Sequence, residues 1–155
     1  MKLYIARHGL AVPKDENLDC PLSERGRRDI ARMASFLART RPKLSRIIHS
    51  GKTRALQTAL IYSENIGPGR VVEEVLEGLN PDDDVISLAR AAVEWEADVM
   101  IVSHLPLVGR LVAHLITDNS DQSLVHFLPG TVACLDRGNV GWTIAWIIGP
   151  DLLGG

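Results

Sequence analysis

A chain of 155 residues with 46% hydrophobic and 23% charged residues has the composition of an ordinary globular protein, so residues 1–155 are expected to form a single domain. The formal net charge of -2 excludes a general nucleic-acid-binding surface, and no apolar segment reaches the roughly 20 residues that span a bilayer. Cys20 and Cys134 are too few for a disulfide framework and lack the spacing of metal ligands. We therefore expect a soluble, cytoplasmic monomer with no signal peptide and no nucleic-acid or membrane partner.

Apolar runs and amphipathic stretches alternate along the chain, which predicts alternating strands and helices. Ser23 is expected to cap the first helix, and Pro42 follows the end of that helix. The run VMIVS is apolar throughout, as expected for a strand that is buried on both faces of a sheet. In chain order the predicted elements are a strand at 3–6, a helix at 23–40, a strand at 45–50, a helix at 50–63, a short strand at 71–76, a helix at 83–94, a strand at 99–103, a helix at 104–116, and strands at 131–136 and 143–148.

This order of elements predicts an α/β fold. We expect a three-layer sandwich, in which helices flank both faces of a mixed, mostly parallel central sheet. The last two strands lie on either side of the turn RGNVG and are predicted to form an antiparallel hairpin. Ser50 is expected to cap the second helix, and the segment IGPG is expected to end it.

Residues suited to phosphate chemistry follow three of the predicted strands. Arg7 and His8 end the first strand. Arg54 lies in the helix after the second strand, and His104 follows the most apolar strand. Ligands of open α/β sheets bind outside the carboxyl ends of the strands, and a helix with Pro106 in its first turn directs backbone N–H groups to the same place. We therefore expect one anion-binding pocket.

Each of these residues has an ordinary structural explanation when it is taken alone, because histidines at strand ends are often hydrogen-bonded and arginines in a first helical turn are often solvated. Their coincidence at three strand ends favours a shared pocket. The other histidines lack such a pattern. His49 lies within a strand and is expected to pack in the core, whereas His114 and His126 are expected to be structural residues.

The segment SGKT at residues 50–53 imitates the last part of a phosphate-binding P-loop. The complete motif requires a glycine five residues before its second glycine, and Arg46 occupies that position. A nucleoside triphosphatase of the P-loop class is therefore excluded, and Lys52 is left as a cation at the rim of the pocket.

Four segments resemble motifs of the histidine phosphatase superfamily, which has the phosphoglycerate-mutase-like fold. The fourth segment is most similar to the short SixA-type phosphohistidine phosphatases. Together the segments extend from Met1 to about Leu115, and their order is more specific than the RHG triplet alone. They are LYIARHG, PLSERG, SGKTRALQTA and VSHLPLVGRLVAHL.

The resemblance implies a role for each matched residue. His8 would be the nucleophile that becomes phosphorylated, Arg7 and Arg54 would hold the phosphoryl oxygens, and His104 would donate to the transferring group. Two guanidiniums suit this chemistry because they match phosphate with forked donors. The resemblance implies neither a metal nor another cofactor. Further substrate contacts are expected from Gly9, Ser50 and Leu105.

The chain departs from larger members of the superfamily, which carry a helical cap with an acidic residue. Here the cap is expected to be short or absent, and Gly78 stands where related short phosphatases place a glutamate. Glu77 is the nearest candidate for a general acid, although a solvent-facing charge explains it equally well. An imidazole leaving group has less need of such an acid, because its conjugate acid has a pKa of about 6.5.

The favoured function is that of a metal-independent phosphatase that removes phosphate from the histidine of a signalling or phosphotransfer protein through a phosphohistidine enzyme intermediate. A phosphatase of small phosphate monoesters is an alternative that uses the same pocket. A non-catalytic phosphate-binding module is an alternative of another class. A mutase is less favoured, because it must retain its substrate under a lid between two transfers.

Charged residues are unevenly distributed. Basic residues concentrate between Arg25 and Arg46, and acidic residues concentrate between Glu73 and Asp98. Solvated helix faces are one explanation, and a docking surface for a charged partner is the other. Leu10 follows the RHG triplet where some relatives carry an acid, so substrate contacts at this position are expected to differ.

Overall fold

The computed structural model describes residues 1–66, 71–75 and 77–154. Within these residues the chain forms six strands, four α-helices and one 3₁₀-helix. The elements are β1 (Lys2–Arg7), α1 (Glu24–Arg39), β2 (Leu44–His49), α2 (Thr53–Ile66), β3 (Val71–Glu74), α3 (Val85–Glu94), β4 (Asp98–Ser103), α4 (Leu107–Thr117), β5 (Val132–Gly138), β6 (Gly141–Ile148) and the 3₁₀-helix Pro150–Leu153.

The strands form one mixed sheet in the order β3-β2-β4-β1-β5-β6. The four strands β3, β2, β4 and β1 run parallel to one another, whereas β5 is antiparallel to β1 and β6 is antiparallel to β5. The carboxyl ends of the four parallel strands therefore meet at one edge of the sheet. The predicted α/β class and the mostly parallel sheet are confirmed.

Helices cover both faces of the sheet and produce a three-layer sandwich. One apolar cluster packs α3 and α4 against residues such as Leu3 and Ile101, and the other packs α1 and α2 against residues such as Tyr4 and Met100. Successive residues of β1 and β4 thus face opposite layers, as the period of a strand requires. Because β4 is buried on both faces, its sequence is continuously apolar, as predicted.

Helix α1 begins at its predicted cap. The Ser23 side chain accepts a hydrogen bond from the Gly26 N–H at 3.0 Å, and the helix ends at Arg39. Its buried face includes the four apolar residues whose spacing predicted it, namely Ile30, Met33, Ala34 and Leu37. Local sequence therefore determines both the start and the orientation of this helix.

Two helix starts differ from prediction. Helix α2 begins at Thr53 and not at a Ser50 cap, because Gly51 has a φ of +85° and turns the chain between them. The side chain of Ser50 is directed instead to His104. Pro106 is the N-cap residue of α4 and lies outside its first turn.

Several other boundaries also differ. Helix α2 extends past Ser63 to Ile66, and α3 begins at Val85 after an Asp84 cap. Strand β3 ends at Glu74, which is shorter than the predicted VVEEVL. The predicted helix break in IGPG falls on residues 67–69, which lie outside the described residues.

Strands β5 and β6 form the predicted antiparallel hairpin. Gly138 and Gly141 are paired, so the connecting loop consists of Asn139 and Val140. Gly141 has a φ of +126°, which favours glycine at the start of the returning strand. The 3₁₀-helix Pro150–Leu153 was not predicted, because its short sequence lacks a helical period.

Between α2 and β4, the described residues contain only β3, a loop and α3, which packs on the sheet. No separate helical cap covers the carboxyl edge within this part of the described chain. None of the described helices combines the length and the apolar character needed to cross a membrane.

Candidate active site

The carboxyl ends of β1, β2 and β4 lie side by side. The last residues of β1 and β4, Arg7 and Ser103, are paired in register, and β2 lies parallel to β4 on its other side. The residues that directly follow the three strand ends are His8, Ser50 and His104, and all three are buried. The sheet topology therefore brings two predicted histidines and one serine to the same edge.

His8 is fixed by both its backbone and its ring. Its N–H donates to Ser103 O at 3.0 Å, and its carbonyl accepts from the Gly130 N–H at 2.9 Å. Ring atom Nδ1 lies 2.7 Å from Gly9 O, and Nε2 lies 3.3 Å from Arg54 Nε. Because a carbonyl oxygen only accepts, Nδ1 carries the proton and Nε2 presents its lone pair.

The protonation state of His8 suits a nucleophile. The pKa of His8 is lowered to about 4, mainly by burial and also by the charges of Arg54 and Arg7, whereas the hydrogen bond to Gly9 opposes this shift. The ring is therefore neutral near pH 7. A neutral imidazole whose Nε2 is unprotonated can attack an electrophilic phosphorus atom once substrate displaces the hydrogen bond from Arg54 Nε.

Two guanidinium groups lie near His8: Arg54 contacts its Nε2, and Arg7 is close enough for its charge to lower the pKa of His8. Arg7 donates from Nη1 to Phe127 O at 2.8 Å, while its Nε is buried without a hydrogen-bond partner among the described residues. Burial and the nearby charge of Arg54 lower the pKa of Arg7. Within the described residues, neither guanidinium has a carboxylate within ion-pair distance. Two adjacent cations without a counter-ion form a site for an anion.

His104 completes the pocket. The centroid of its ring lies 5.0 Å from that of His8, and its Nε2 shares a hydrogen bond of 2.5 Å with Ser50 Oγ. Burial, followed by the proximity of His8 and Arg54, lowers the pKa of His104 to about 3. Its Nδ1 is buried without a partner among the described residues. Ser50 is therefore the hydrogen-bonding group that orients this ring.

Gly9 has a packing role in the structure. Its N–H donates to Thr58 Oγ1 at 3.1 Å, and the Thr58 hydroxyl donates to Arg54 O at 2.8 Å. A Cβ at Gly9 would lie 2.7 Å from Ile30 Cγ1, so only glycine fits there without rearrangement. The sequence analysis missed Thr58, although the QT pair that follows Arg54 in the resembling segment contained the signal.

The rim of the pocket is partly apolar. Leu105, next to His104, is 40% exposed, and Leu10, after the RHG triplet, is 37% exposed. Lys52 is exposed and close enough to contribute to the lowered pKa of His104, which agrees with its predicted place at the rim. The mouth thus combines cations with apolar side chains that face solvent.

Carboxylates near the pocket are few. Glu77 is exposed, and the Gly78 N–H beside it donates to Asp83 in a local turn. Glu74, which ends β3, was not singled out from the sequence, yet a Cβ on Gly51 would lie 1.9 Å from its Oε1. Among the described residues, no carboxylate is hydrogen-bonded to the two arginines or the two histidines of the pocket.

The remaining histidines have separate environments. His49 is buried, and its Nδ1 accepts from the Gly51 N–H at 3.1 Å, which agrees with the predicted packing role. Burial lowers its pKa, which the Glu74 carboxylate partly opposes. His114 is half-buried in α4. His126 is exposed in a groove that also contains Arg7, so its position next to the pocket is a finding that the sequence did not predict.

The P-loop imitation is not a nucleotide-binding loop. Arg46 lies within β2, where its guanidinium is 3.4 Å from a Glu73 carboxylate oxygen and stacks over the Trp95 ring. The residues that follow form the turn before α2. Among the described side chains, no group of three or more histidine, cysteine, aspartate or glutamate residues is arranged to hold a metal ion.

Comparison with known proteins gives consistent matches. Residues 3–80 match the histidine phosphatase superfamily, branch 1. The chain is 31% identical over 156 residues to the phosphohistidine phosphatase SixA of Escherichia coli strain K12, with 97% of this chain and 94% of that protein covered. This match spans all the motifs described above.

Solved structures agree with the sequence matches. The structure of the protein histidine phosphatase SixA complexed with tungstate superposes with a TM-score of 0.84 at 28% identity, covering 99% of both chains. A protein from Agrobacterium tumefaciens, described as a putative phosphohistidine phosphatase SixA, gives a TM-score of 0.77 at 23% identity over 96% of this chain and 97% of that chain. The second likeness concerns the fold alone.

Proposed function

The chain belongs to the histidine phosphatase superfamily and is a phosphatase, and we propose that it removes the phosphoryl group from a phosphorylated histidine of a signalling or phosphotransfer protein without a metal ion. One observation carries this proposal. The His8 Nε2 lone pair lies beside Arg54 and Arg7, while its Nδ1 proton is held by Gly9 O. This arrangement supplies both a nucleophile and a cradle for a phosphoryl group.

In the first step His8 Nε2 attacks phosphorus, and a P–N bond forms to the enzyme. The P–N bond of the substrate breaks, and its electron pair returns to the substrate imidazole, which leaves neutral if its other nitrogen carries a proton. Arg7 and Arg54 contact the phosphoryl oxygens, where charge spreads in the transition state. His104, whose ring centroid lies 5.0 Å from that of His8, would supply a further N–H donor to the transferring group.

The Gly9 carbonyl has an electrostatic role in this step. When Nε2 of His8 becomes phosphorylated, the ring gains positive charge, because Nδ1 keeps its proton. The carbonyl dipole at 2.7 Å stabilises that charge. The tautomer that exposes the nucleophile is thus also the one that stabilises the intermediate.

In the second step a water oxygen attacks the phosphorus atom of phosphorylated His8. The P–Nε2 bond breaks, its electron pair returns to Nε2, and both protons of the water remain on the released dihydrogen phosphate. The enzyme returns to its neutral form without a separate proton carrier. No redox partner or cofactor takes part in this balance.

The scarcity of nearby carboxylates supports a phosphohistidine over a phosphate ester. An alkoxide leaving group requires a proton from a general acid, and within the described residues no carboxylate is hydrogen-bonded to the pocket side chains. An imidazole, with a conjugate-acid pKa of about 6.5, leaves readily without one.

A cytoplasmic setting is supported by Cys20 and Cys134, which are both free thiols.

The test compares two substrates and two proteins. Wild type and His8→Ala are incubated in chelator-treated buffer with a histidine-phosphorylated phosphotransfer domain and, separately, with a small aryl phosphate. We expect fast phosphate release from the domain, abolished in His8→Ala. Release from the aryl phosphate alone would instead assign the protein to small monoesters, and release from neither would leave a phosphate-binding module.

A further inference from the structure

A groove of about 560 Å³ opens beside the pocket on the side of Arg7. We call it the Arg7 groove. The start of α4 forms one wall, and the loop after α4 forms the other. Its lining includes Arg7, Leu105, Arg110, Leu124, His126 and Leu128. A phosphoryl group of four heavy atoms fills only a small part of this volume, so most of the groove is available to the rest of a substrate.

The Arg7 groove exposes three large aliphatic side chains. Leu105, Leu124 and Leu128 are 40%, 41% and 40% exposed, respectively. Leu128 also borders a second cleft, which contains Leu10 and Arg25. Exposed leucines therefore line two adjacent clefts that meet at Leu128. Contiguous exposed apolar surface of this kind marks an interaction site more often than isolated exposed residues do.

The groove and the phosphoryl pocket share a residue. Arg7 lines the groove, and Phe127 O in the groove wall accepts the hydrogen bond that holds its guanidinium. A protein domain that delivers a phosphoryl group to His8 and Arg7 would therefore lie next to this surface. The groove is continuous with the site of chemistry and is not a separate cavity.

The groove also carries charged side chains. Besides Arg7, which the mechanism assigns to the phosphoryl oxygens, its lining includes Arg110 and Asp121. Neither arginine has an ion pair within the described residues. A matching surface therefore combines apolar side chains with a carboxylate that Arg110 can bind. A small phosphate ester has no such extended apolar surface, whereas a protein domain does.

We propose that the Arg7 groove is the docking surface for the protein domain that carries the phosphohistidine, with the leucines packing against apolar residues beside the phosphorylated side chain. This inference rests on the proposed function and deepens it. It also limits which residues of the predicted basic docking surface, between Arg25 and Arg46, can contact the partner. Of the stretch between Arg25 and Arg46, Arg25 borders the neighbouring cleft, while Arg46 is engaged with Glu73.

The experiment measures kcat and KM for two substrates that share the same scissile P–N bond. One is a phosphotransfer domain phosphorylated with phosphoramidate, and the other is the free amino acid phosphohistidine. The variant is the double substitution Leu124→Ser/Leu128→Ser, which adds no charge near the pocket. We expect KM for the domain to rise about tenfold or more, with kcat/KM for free phosphohistidine within twofold of wild type.

The matched control is Leu60→Ser, because Leu60 is 43% exposed in α2 but does not line the groove. We expect it to leave both substrates unaffected. Melting temperatures verify that each variant is folded. If the double variant unfolds, Arg110→Ala replaces it, and the expected result is a rise in KM for the domain that diminishes at high salt.

Three results would overturn the inference. Unchanged kinetics on the domain in folded variants would remove the groove from docking. An equal loss of kcat/KM with free phosphohistidine would place these leucines in the phosphoryl site itself. A wild-type dimer in sedimentation that becomes monomeric in the double variant would identify a second copy as the occupant. A wild type that does not hydrolyse the phosphorylated domain contradicts the proposed function instead, and so the two failures are distinguishable.

Discussion

A histidine can attack phosphorus only when one ring nitrogen presents a lone pair and the other keeps its proton. His8 meets this requirement through two contacts, with Gly9 O at Nδ1 and Arg54 Nε at Nε2. Neither contact is visible in the RHG triplet as such. The sequence predicted the residue and its role, whereas the identity of the attacking nitrogen follows from the backbone conformation at Gly9.

Ser50 offers a test of positioning at the same scale. Its hydroxyl is the partner of His104 Nε2 at 2.5 Å, and both residues are buried. We expect Ser50→Ala to reduce kcat by roughly fivefold to tenfold, as befits the loss of about 1 kcal/mol from one buried hydrogen bond. KM should change little, because His104 acts on the transferring group and not on the rest of the substrate.

The measurement is steady-state kinetics on the phosphorylated domain, with Ser50→Thr as the matched variant. Threonine retains a hydroxyl and should recover most of the rate. If Ser50→Ala retains full kcat, or if Ser50→Thr is as slow as Ser50→Ala, the hydroxyl does not orient His104.

Among the elements, the central strands and α1 were predictable because local and tertiary signals agree there. Ser23 caps α1, and the apolar residues of β4 pack on both faces. The start of α2 was not predictable, because Gly51 adopts a left-handed conformation that turns the chain away from the apparent Ser50 cap. A serine in front of a helix looks the same in sequence whether it caps the helix or binds a histidine.

The pocket residues also divide into those that the sequence predicted and those that only the structure revealed. The pattern at three strand ends grouped Arg7, His8, Arg54 and His104, and the structure places them near one another. Arg7 ends β1, His8 and His104 follow β1 and β4, and Arg54 lies in the first turn of α2. Glu74 was not predicted to lie near the pocket, because its proximity to Gly51 depends on how β3 pairs with β2. Contacts between side chains that are distant in sequence require the register of the sheet, which no local pattern encodes.

The packing of Gly9, which lies just after β1, against Ile30 of α1 gives a prediction at the element scale. A Cβ at Gly9 would lie 2.7 Å from Ile30 Cγ1 and 3.1 Å from Leu22 Cδ2. We expect Gly9→Ala to lower the free energy of unfolding by about 1–3 kcal/mol, which is typical of overpacking. Chemical denaturation measures the change.

The matched control is Gly109→Ala in α4, where a new Cβ makes only an ordinary contact of 3.7 Å with Leu105 Cδ2. That change should be neutral or stabilising, because alanine is the better helix former. Because Ile30→Ala removes Cγ1, it should cost less stability in the Gly9→Ala background than in the wild type. Equal stability of Gly9→Ala and wild type would show that Gly9 is not tightly packed against α1.

At the scale of the whole molecule, the pocket links stability to pH. The pKa of His8 is lowered to about 4 and that of His104 to about 3, mainly by burial, whereas both have a pKa near 6.5 in the unfolded chain. Below pH 6.5 the unfolded chain therefore binds protons that the folded protein does not. The contribution of these two neutral histidines to the free energy of unfolding is fully present above pH 6.5 and decreases as the pH falls toward 4.

We therefore expect the melting temperature to fall between pH 7 and pH 4.5, with a shallower fall in His8→Gln/His104→Gln. The control is His126→Gln, because His126 is exposed. Calorimetry between pH 7 and pH 4.5 measures the melting temperatures of the three proteins. Parallel pH profiles for wild type and the double variant would show that the two buried histidines do not produce the effect.

The proposed mechanism depends most directly on His8 Nε2 as the phosphoryl acceptor. The decisive measurement is a rapid alkaline quench of the enzyme mixed with a histidine-phosphorylated domain, followed by peptide mapping and ³¹P NMR of the modified residue. We predict a phosphoryl group on His8, attached at Nε2 and absent from His8→Ala. Phosphate on Nδ1, on another residue, or on no residue during active turnover would contradict the proposed mechanism.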